Sequence, residues 1–436
     1  LIWWLYNLLF PIVFLFMLPH YILRMLRRGG YARNFGQRFG IYSPEARGLL
    51  AGPGRPIWIQ AVSVGELAVA FSFMEEVRRR DPSVRFVLTT NTSTGHALAL
   101  ARVRPPDVTL YFPVDVPWIM ARALRRIRPA MLVMVEAEMW PNWIRMSKKR
   151  GIPAVMINGR ISERSFRGYR RIKFITRELL PRIHWFCVQS AGDRDRLVAL
   201  GAPVEKVEVA GSAKYDIEAT PPAAIARARA ALDKLGVAED DLVLVGGSTW
   251  EGEEAILADL LIAARERHPR LMLVLVPRHF ERREAVLAVL AGRGLSVAQR
   301  SLLPDDAPAP AERPDVFLVD TTGELRGFYA VADAVFVGKS LTQTGGQNPI
   351  EPARDGKPVI VGPHMENFPA IARDFADAGA WVQVADAAEF QAAALRLLDD
   401  AGERRRLGDA AAALVARRAG AIRLMAERVL EARPAE

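Results

Sequence analysis

The sequence offers no route to disulfides: its 436 residues include a single cysteine, Cys187, in the apolar run IHWFCVQS, where a buried, inert thiol is expected. Cysteine-rich metal sites are excluded for the same reason. The six histidines are scattered and no HExxH occurs. Asp193 and Asp195 have the spacing of a metal-binding acid pair, but they lie in GDRDRLVALG, which reads as a charged helix face. Neither a Gly-Lys-Ser/Thr phosphate loop nor a GxSxG elbow is present, and no repeat has a solenoid period. The chain is therefore expected to work without a metal ion or a bound cofactor.

Charge is also missing where it is informative. The opening run LIWWLYNLLFPIVFLFMLPHYIL has no Asp, Glu, Lys or Arg before Arg24, and is long enough to span or anchor to a membrane. Arg24, Arg27, Arg28, Arg33 and Arg38 then precede the first acid, Glu45, which by the positive-inside rule leaves the body of the protein in the cytoplasm. A cleaved signal peptide does not fit, because the basic cluster follows the apolar run and no small-x-small site comes after it. The competing reading is a buried hydrophobic helix interrupted by Pro11 and Pro19. Residues 1–28 are read as a membrane anchor.

Over the whole chain the net charge is +10, but it is unevenly spread. Residues 1–216 carry 33 Lys and Arg against 16 Asp and Glu, whereas the remainder carries 26 against 33. The N-terminal half thus faces something acidic. No basic stretch is interleaved with aromatics as a base-stacking platform would be, so nucleic acid is not the expected partner. A membrane surface or a phosphorylated lipid is.

From Pro56 onward, short apolar runs alternate with amphipathic stretches: IWIQAV, VRFVLTT, VTLYFPV, AMLVMVEA, PAVMIN, IHWFCVQ and VEVAGS. The prolines of DIEATPPAAIARA break the rhythm, and a second series follows: LVLVGGS, LMLVLVPRH, DVFLVD, AVFVGKS, PVIVGP and AWVQVAD. Strand then helix, repeated twice over, predicts an α/β protein of two tandem doubly wound, Rossmann-like domains, 29–216 and 224–436, with a cleft between the carboxyl ends of their strands. Leu302 to Pro314, rich in Pro, Ala and Asp, reads as a surface loop.

Four strand-to-helix junctions share one grammar. SVGE ends at Glu66, STWE at Glu251 and TTGE at Glu324; in GGQNPIEPA, Asn348 suits an N-cap, Pro349 the first helical position and Glu351 the third. Stable helix starts explain each alone. Taken together, with glycines that admit close approach and with Pro277, Arg278 and His279 ending another strand, they point to an anionic ligand such as a nucleotide phosphate on the second domain. On the first domain, Glu66, and Glu136 and Glu138 of EAEMWPN, follow strand ends, where open α/β sheets keep their active groups; the bland alternatives are a capping residue and a solvated acid. Lys214 of GSAKYD is placed to face an anion.

At these residues the sequence resembles a known family, the 3-deoxy-D-manno-octulosonic acid (Kdo) transferases of lipopolysaccharide synthesis, which have the GT-B fold. AVSVGE, EAEMWPN, GSAKYD, STWEGEE, VPRHFER, TTGEL and GGQNPIEPA carry the likeness, together with the apolar start and YARNFGQRFG. The resemblance implies that Glu66 is the general base and that Glu136 and Lys214 support the transition state. Pro277, Arg278, Thr322, Gly323, Glu324, Asn348, Pro349, Ile350 and Glu351 would hold the CMP of a CMP-Kdo donor. It further implies inverting transfer of Kdo to an acidic lipid A precursor at the cytoplasmic face of the bacterial inner membrane. Three positions depart from the family: Gln60 and Gln347 stand where His is usual, and Lys339 where Gly is usual. Another GT-B nucleotide-sugar enzyme would share the second-domain junctions but not AVSVGE with EAEMWPN. A membrane-bound nucleic-acid binder would leave the carboxylates idle.

Overall fold

The computed structural model describes residues 2–12, 16, 34–304 and 307–434. The chain divides into two compact units, one made of Leu1–Asp216 with Ala419–Glu436 and the other of Ile217–Arg418.

In the first unit the seven apolar runs become β1 (Ile57–Gln60), β2 (Phe86–Thr90), β3 (Val108–Tyr111), β4 (Met131–Val135), β5 (Ala154–Gly159), β6 (Trp185–Val188) and β7 (Val207–Val209). They pair in parallel in the order β3-β2-β1-β4-β5-β6-β7. The central strands are buried on both faces, which is why they read as continuous apolar runs rather than alternating ones. Trp58, Phe112, Trp143 and Phe186 fill one side of the sheet. Ile57, Phe73, Phe86 and Met425 fill the other. Strand order reverses direction at β1 and β4, so the crevice beyond their carboxyl ends is the natural ligand position. The structure also shows Cys187 buried in this core, where desolvation pushes its thiol up to about 12.

The last helix corrects the expected extent of the second domain, which was read as running to 436. Ala421–Ala432 packs against the helix Val64–Arg80 of the first unit through Met425, Ala426 and Val429. The Asp216 carboxylate accepts the backbone N–H groups of Gly420 and Ile422, fixing where that helix starts. Arg428 pairs with Glu208 at 2.7 Å and Arg433 with Asp81 at 2.9 Å. Periodicity marked this stretch as a helix; it could not say which sheet the apolar face would cover.

Residues 2–12 are helical. Trp3 packs on the core of the first unit. The Tyr6 hydroxyl donates to Asp115 Oδ2 at 2.9 Å, Asn7 Oδ1 accepts from Asn142 Nδ2 at 2.7 Å, and Phe10 meets Trp140 edge-on. The opposite face, with Trp4 and Leu8, is exposed. Among the described residues no helix is long and apolar enough to cross a membrane. Most of the expected anchor, including Arg24, Arg27, Arg28 and Arg33, lies outside the described residues. Arg38 does not belong to that basic cluster: only 7% exposed, it sits over the Tyr111 ring and donates to the Asn91 carbonyl at 2.8 Å.

The second unit repeats the design with β8 (Val243–Thr249), β9 (Met272–Pro277), β10 (Val297–Gln299), β11 (Val316–Leu318), β12 (Ala334–Val337), β13 (Val359–Val361) and β14 (Val382–Gln383). All pairs are parallel and the order is β10-β11-β9-β8-β12-β13-β14, with its reversal at β8 and β12. Strand β10 was not anticipated: it is a three-residue edge strand, half-exposed throughout, and has no apolar run to announce it. Gly247 is required by packing, since a Cβ there would lie 2.1 Å from the buried Tyr329 hydroxyl.

Candidate functional sites on the two units

On the first unit, the turn after β1 forms a complete capping box. Ser63 Oγ accepts from Glu66 N at 3.2 Å, and the Glu66 carboxylate accepts from Val62 N at 2.8 Å and from Ser63 N at 3.4 Å. Glu66 remains half-exposed. Glu136 follows β4 with φ at 57°, a conformation an L-residue adopts only under constraint. Burial holds its carboxyl above the ordinary range, the Glu66 charge adds to this, and the Arg160 and Lys214 cations oppose it. Lys214 is lowered, first by burial and then by Arg160, with Glu136 pulling the other way. Glu66 and Glu136 thus stand at the reversal of the sheet, and Lys214, carried by the turn after β7, also acts on Glu136.

Glu138 is not the solvated acid of the bland reading. Its Oε2 accepts from Trp140 Nε1 at 3.0 Å and from Gln60 Nε2 at 3.2 Å, and burial holds it above the usual range. Gln60, fully buried, also accepts from Thr89 Oγ1 at 2.7 Å. It is thus a rigid connector between β2 and the acid cluster, a job an amide can do without exchanging a proton. Sequence reasoning passed over two residues here. Arg160 stands just past β5 and acts on both Glu136 and Lys214. Asn158, fully buried with φ at 51°, accepts from Ala213 N at 3.1 Å and so sets the turn that carries Lys214. Their signal was INGR, polar residues ending an apolar strand.

Asp193 lies in the first turn of its helix, where the N-cap Ser190 Oγ accepts from Asp193 N at 3.2 Å; the Asp193 carboxylate in turn accepts from Ser190 Oγ and, at 2.9 Å, from Ile161 N. Among the described residues no group of three His, Cys, Asp or Glu could hold a metal ion.

On the second unit the shared grammar is realised unevenly. In STWEGEE the working acid is Glu253, not Glu251. Its carboxylate accepts from Trp250 N, Lys339 N, Ser340 N and Leu341 N at 2.8 to 3.1 Å, tying the end of β8 to the end of β12. Glu324 is itself the residue preceding the helix Leu325–Ala330, and its carboxylate goes to Thr321 Oγ1 and, at 3.0 Å, to Arg300 Nε. Asn348 Oδ1 accepts from Ile350 N at 3.2 Å and its Nδ2 donates to Glu351 Oε1 at 3.3 Å. Pro349 occupies the cap position rather than the first helical one, and the Ile350 side chain is fully buried. The helices beginning at these two junctions have six and five residues, so their dipoles are small and individual N–H groups matter more than the helix axis.

Pro277 ends β9, and Arg278 N donates to the Thr249 carbonyl at 3.1 Å. Burial holds Glu351 above the ordinary carboxylate range, while Asn348, Arg326 and Arg278 oppose that shift. Arg278 and the Asn348–Glu351 turn, 70 residues apart in sequence, are therefore electrostatic neighbours. Thr322 and Gly323, the latter with φ at 89°, form the turn leading to Glu324, both exposed.

Two tandem units of this topology define the GT-B fold. The solved structure of UDP-GlcNAc 2-epimerase from Neisseria meningitidis bound to UDP-GlcNAc has the same fold, with a TM-score of 0.54 and 11% identity over 86% of this chain and 100% of that one. Residues 33–217 match the family model described as 3-deoxy-D-manno-octulosonic-acid transferase (kdotransferase). The 3-deoxy-D-manno-octulosonic acid transferase of Bordetella pertussis is 34% identical over 95% of this chain and 94% of its own length. That of Haemophilus influenzae is 31% identical over 90% of each. The chain belongs to the Kdo transferase family.

Proposed function

We propose that this protein transfers Kdo from CMP-Kdo to a hydroxyl of a lipid A precursor of the lipid IVA type, with inversion at the anomeric carbon and without a metal ion. The observation that carries the reading is that the charges of Glu66 and Lys214 both act on Glu136, which follows β4 at the reversal of the first sheet with φ at 57°. Glu66 takes the proton of the acceptor hydroxyl as its oxygen bonds to the anomeric carbon. Each Glu66 oxygen that accepts one backbone N–H keeps a second lone pair for this. The bond from that carbon to the phosphate oxygen breaks, and CMP leaves with the electron pair. Lys214 and Glu136 support the transition state. Arg278, the Thr322–Gly323–Glu324 turn and the Asn348–Glu351 turn, with Pro277, hold the CMP and meet the charge on its phosphate.

The acceptor in this reading is acidic and acylated, and the protein works at the cytoplasmic face of the bacterial inner membrane. In support, the helix 2–12 exposes Trp4 and Leu8, and the helix Glu163–Arg171 has no buried residue and presents Arg164, Arg167, Arg170 and Arg171, followed by exposed Ile172 and Phe174. The test is mass analysis of lipid A precursor incubated with CMP-Kdo and the protein, with and without EDTA. The expected result is a mass gain of one or more Kdo residues at an initial rate that EDTA leaves within about twofold. Transfer from another nucleotide sugar but not from CMP-Kdo would overturn the donor; a rate abolished by EDTA and restored by magnesium would overturn the metal-free mechanism.

A further inference from the structure

Trp250 follows β8 and Lys339 lies two residues past β12, the two strands flanking the reversal of the second sheet, and neither side chain has a role in the site described above. Lys339 has φ at 54°, in the left-handed region that favours glycine. Its backbone is held there from both sides: its N–H goes to Glu253 Oε2 at 2.9 Å and its carbonyl accepts from Gly346 N at 2.8 Å. A lysine retained in such a conformation, where glycine would be relaxed, points to use of its side chain. The stem runs past Gly345, whose missing Cβ would lie 3.6 Å from Lys339 Cε, and the ammonium stands 4.2 Å above the centre of the Trp250 ring.

Among the described residues no acid forms an ion pair with this ammonium. Glu253 is committed to four backbone N–H groups; Glu366 accepts from Gly345 N at 2.6 Å and pairs with His364 at 3.1 Å. His279 meets the Trp250 ring edge-on at 5.3 Å, and Arg278 precedes it in the chain. Two polar atoms at the end of β8, Thr249 Oγ1 on a fully buried residue and Trp250 Nε1, are buried with no partner among the described residues. Buried polar groups left unmatched at a sheet reversal are what a ligand would satisfy.

We infer that Lys339, laid over Trp250, is a binding residue for the carboxylate of the sugar acid on the donor nucleotide. This rests on the CMP-Kdo reading above and deepens it. The phosphate is met by Arg278 and the glycine turns; Lys339 selects a nucleotide sugar that carries a second anion. The ring fixes the direction of the flexible stem, and the cation–π contact costs little to keep while a carboxylate approaches from the open side.

Two substitutions separate this from a structural role. Lys339→Gly relieves the left-handed conformation, so its melting temperature should equal or exceed that of the parent. Lys339→Met keeps the apolar cover on Trp250 and removes only the charge. Both should raise KM for CMP-Kdo on the order of tenfold while Ki for CMP, which lacks the carboxylate, stays within about twofold. The gap in KM between parent and Lys339→Met should narrow at high salt, as for a screened charge pair. Equal weakening of CMP and CMP-Kdo would overturn the inference in favour of a phosphate contact, and unchanged KM in both variants would overturn it outright. A parent protein that binds neither nucleotide would overturn the donor assignment and this inference with it.

Discussion

Glu66 and Glu253 stand at equivalent places in the two units, each just beyond the first strand of its sheet, and they do different work. Glu66 is half-exposed and accepts two N–H groups from its own turn. Glu253 is 1% exposed and accepts four, three of them from the far side of the sheet reversal. The same split runs through both sites. In the first unit the charges of Glu66 and Lys214 both act on Glu136; in the second, Glu253 and Glu324 hold backbone N–H groups and Arg300. One topology thus uses a junction carboxylate to close its own turn in one unit and to bridge the sheet reversal in the other.

The largest effect that sharpens this comparison is expected at Glu66. Glu66→Gln preserves size and much of the cap, so thermal unfolding should shift by about 1 kcal/mol or less. Kdo transfer to the lipid acceptor should fall a hundredfold to ten-thousandfold, on the order of what loss of a general base costs, with Ki for CMP unchanged. Near-normal transfer by the folded variant would move the base to Glu136 or Glu138.

Glu253→Gln should do the reverse. An amide NH2 in place of one carboxylate oxygen faces backbone N–H donors it cannot accept from, which should cost about 3 kcal/mol of stability. Donor affinity should drop with it, since the Lys339 turn is fixed by this carboxylate, while lipid binding to the first unit holds. A Glu253→Gln protein as stable as its parent, and equally tight for CMP-Kdo, would dissolve the contrast between the two glutamates.

A smaller effect concerns the apolar N-terminal helix. Deletion of residues 1–23 is expected from the anchor reading to release the protein from a membrane; it also removes Tyr6, whose hydroxyl donates to the buried Asp115, which accepts in addition from Asn142 N and Trp143 N. Burial raises the Asp115 carboxyl from 3.8 to about 6. The folded state therefore holds a proton that the unfolded state has lost between about pH 4 and 6, and stability should fall as pH rises through that window, then level off. Tyr6→Phe removes a donor that favours the ionised form. It should cost about 1 kcal/mol and carry the falling limb above pH 6. Superimposable stability curves for parent and Tyr6→Phe would show that the helix 2–12 contributes nothing through Asp115.

The strands and the doubly wound order of events were legible because both faces of a parallel sheet are buried: IWIQ, FVLTT and MLVMV can hardly be anything else. Of the junction glutamates Glu66 was legible as a cap, and the family likeness named the chemistry. Several things were decided only in three dimensions. The sheet covered by Ala421–Ala432 depends on Asp216, some 200 residues earlier in the chain. The partner of Glu136 depends on Arg160 arriving from the neighbouring strand. The choice of Glu253 over Glu251, and the opposition of Lys339 to Trp250, depend on β12 lying beside β8. Local sequence fixes propensity and which positions are apolar, because those are short-range properties of a residue and its near neighbours. Which charge meets which, and which carboxylate bridges two strands, is set by strand order, and strand order is a property of the whole folded chain.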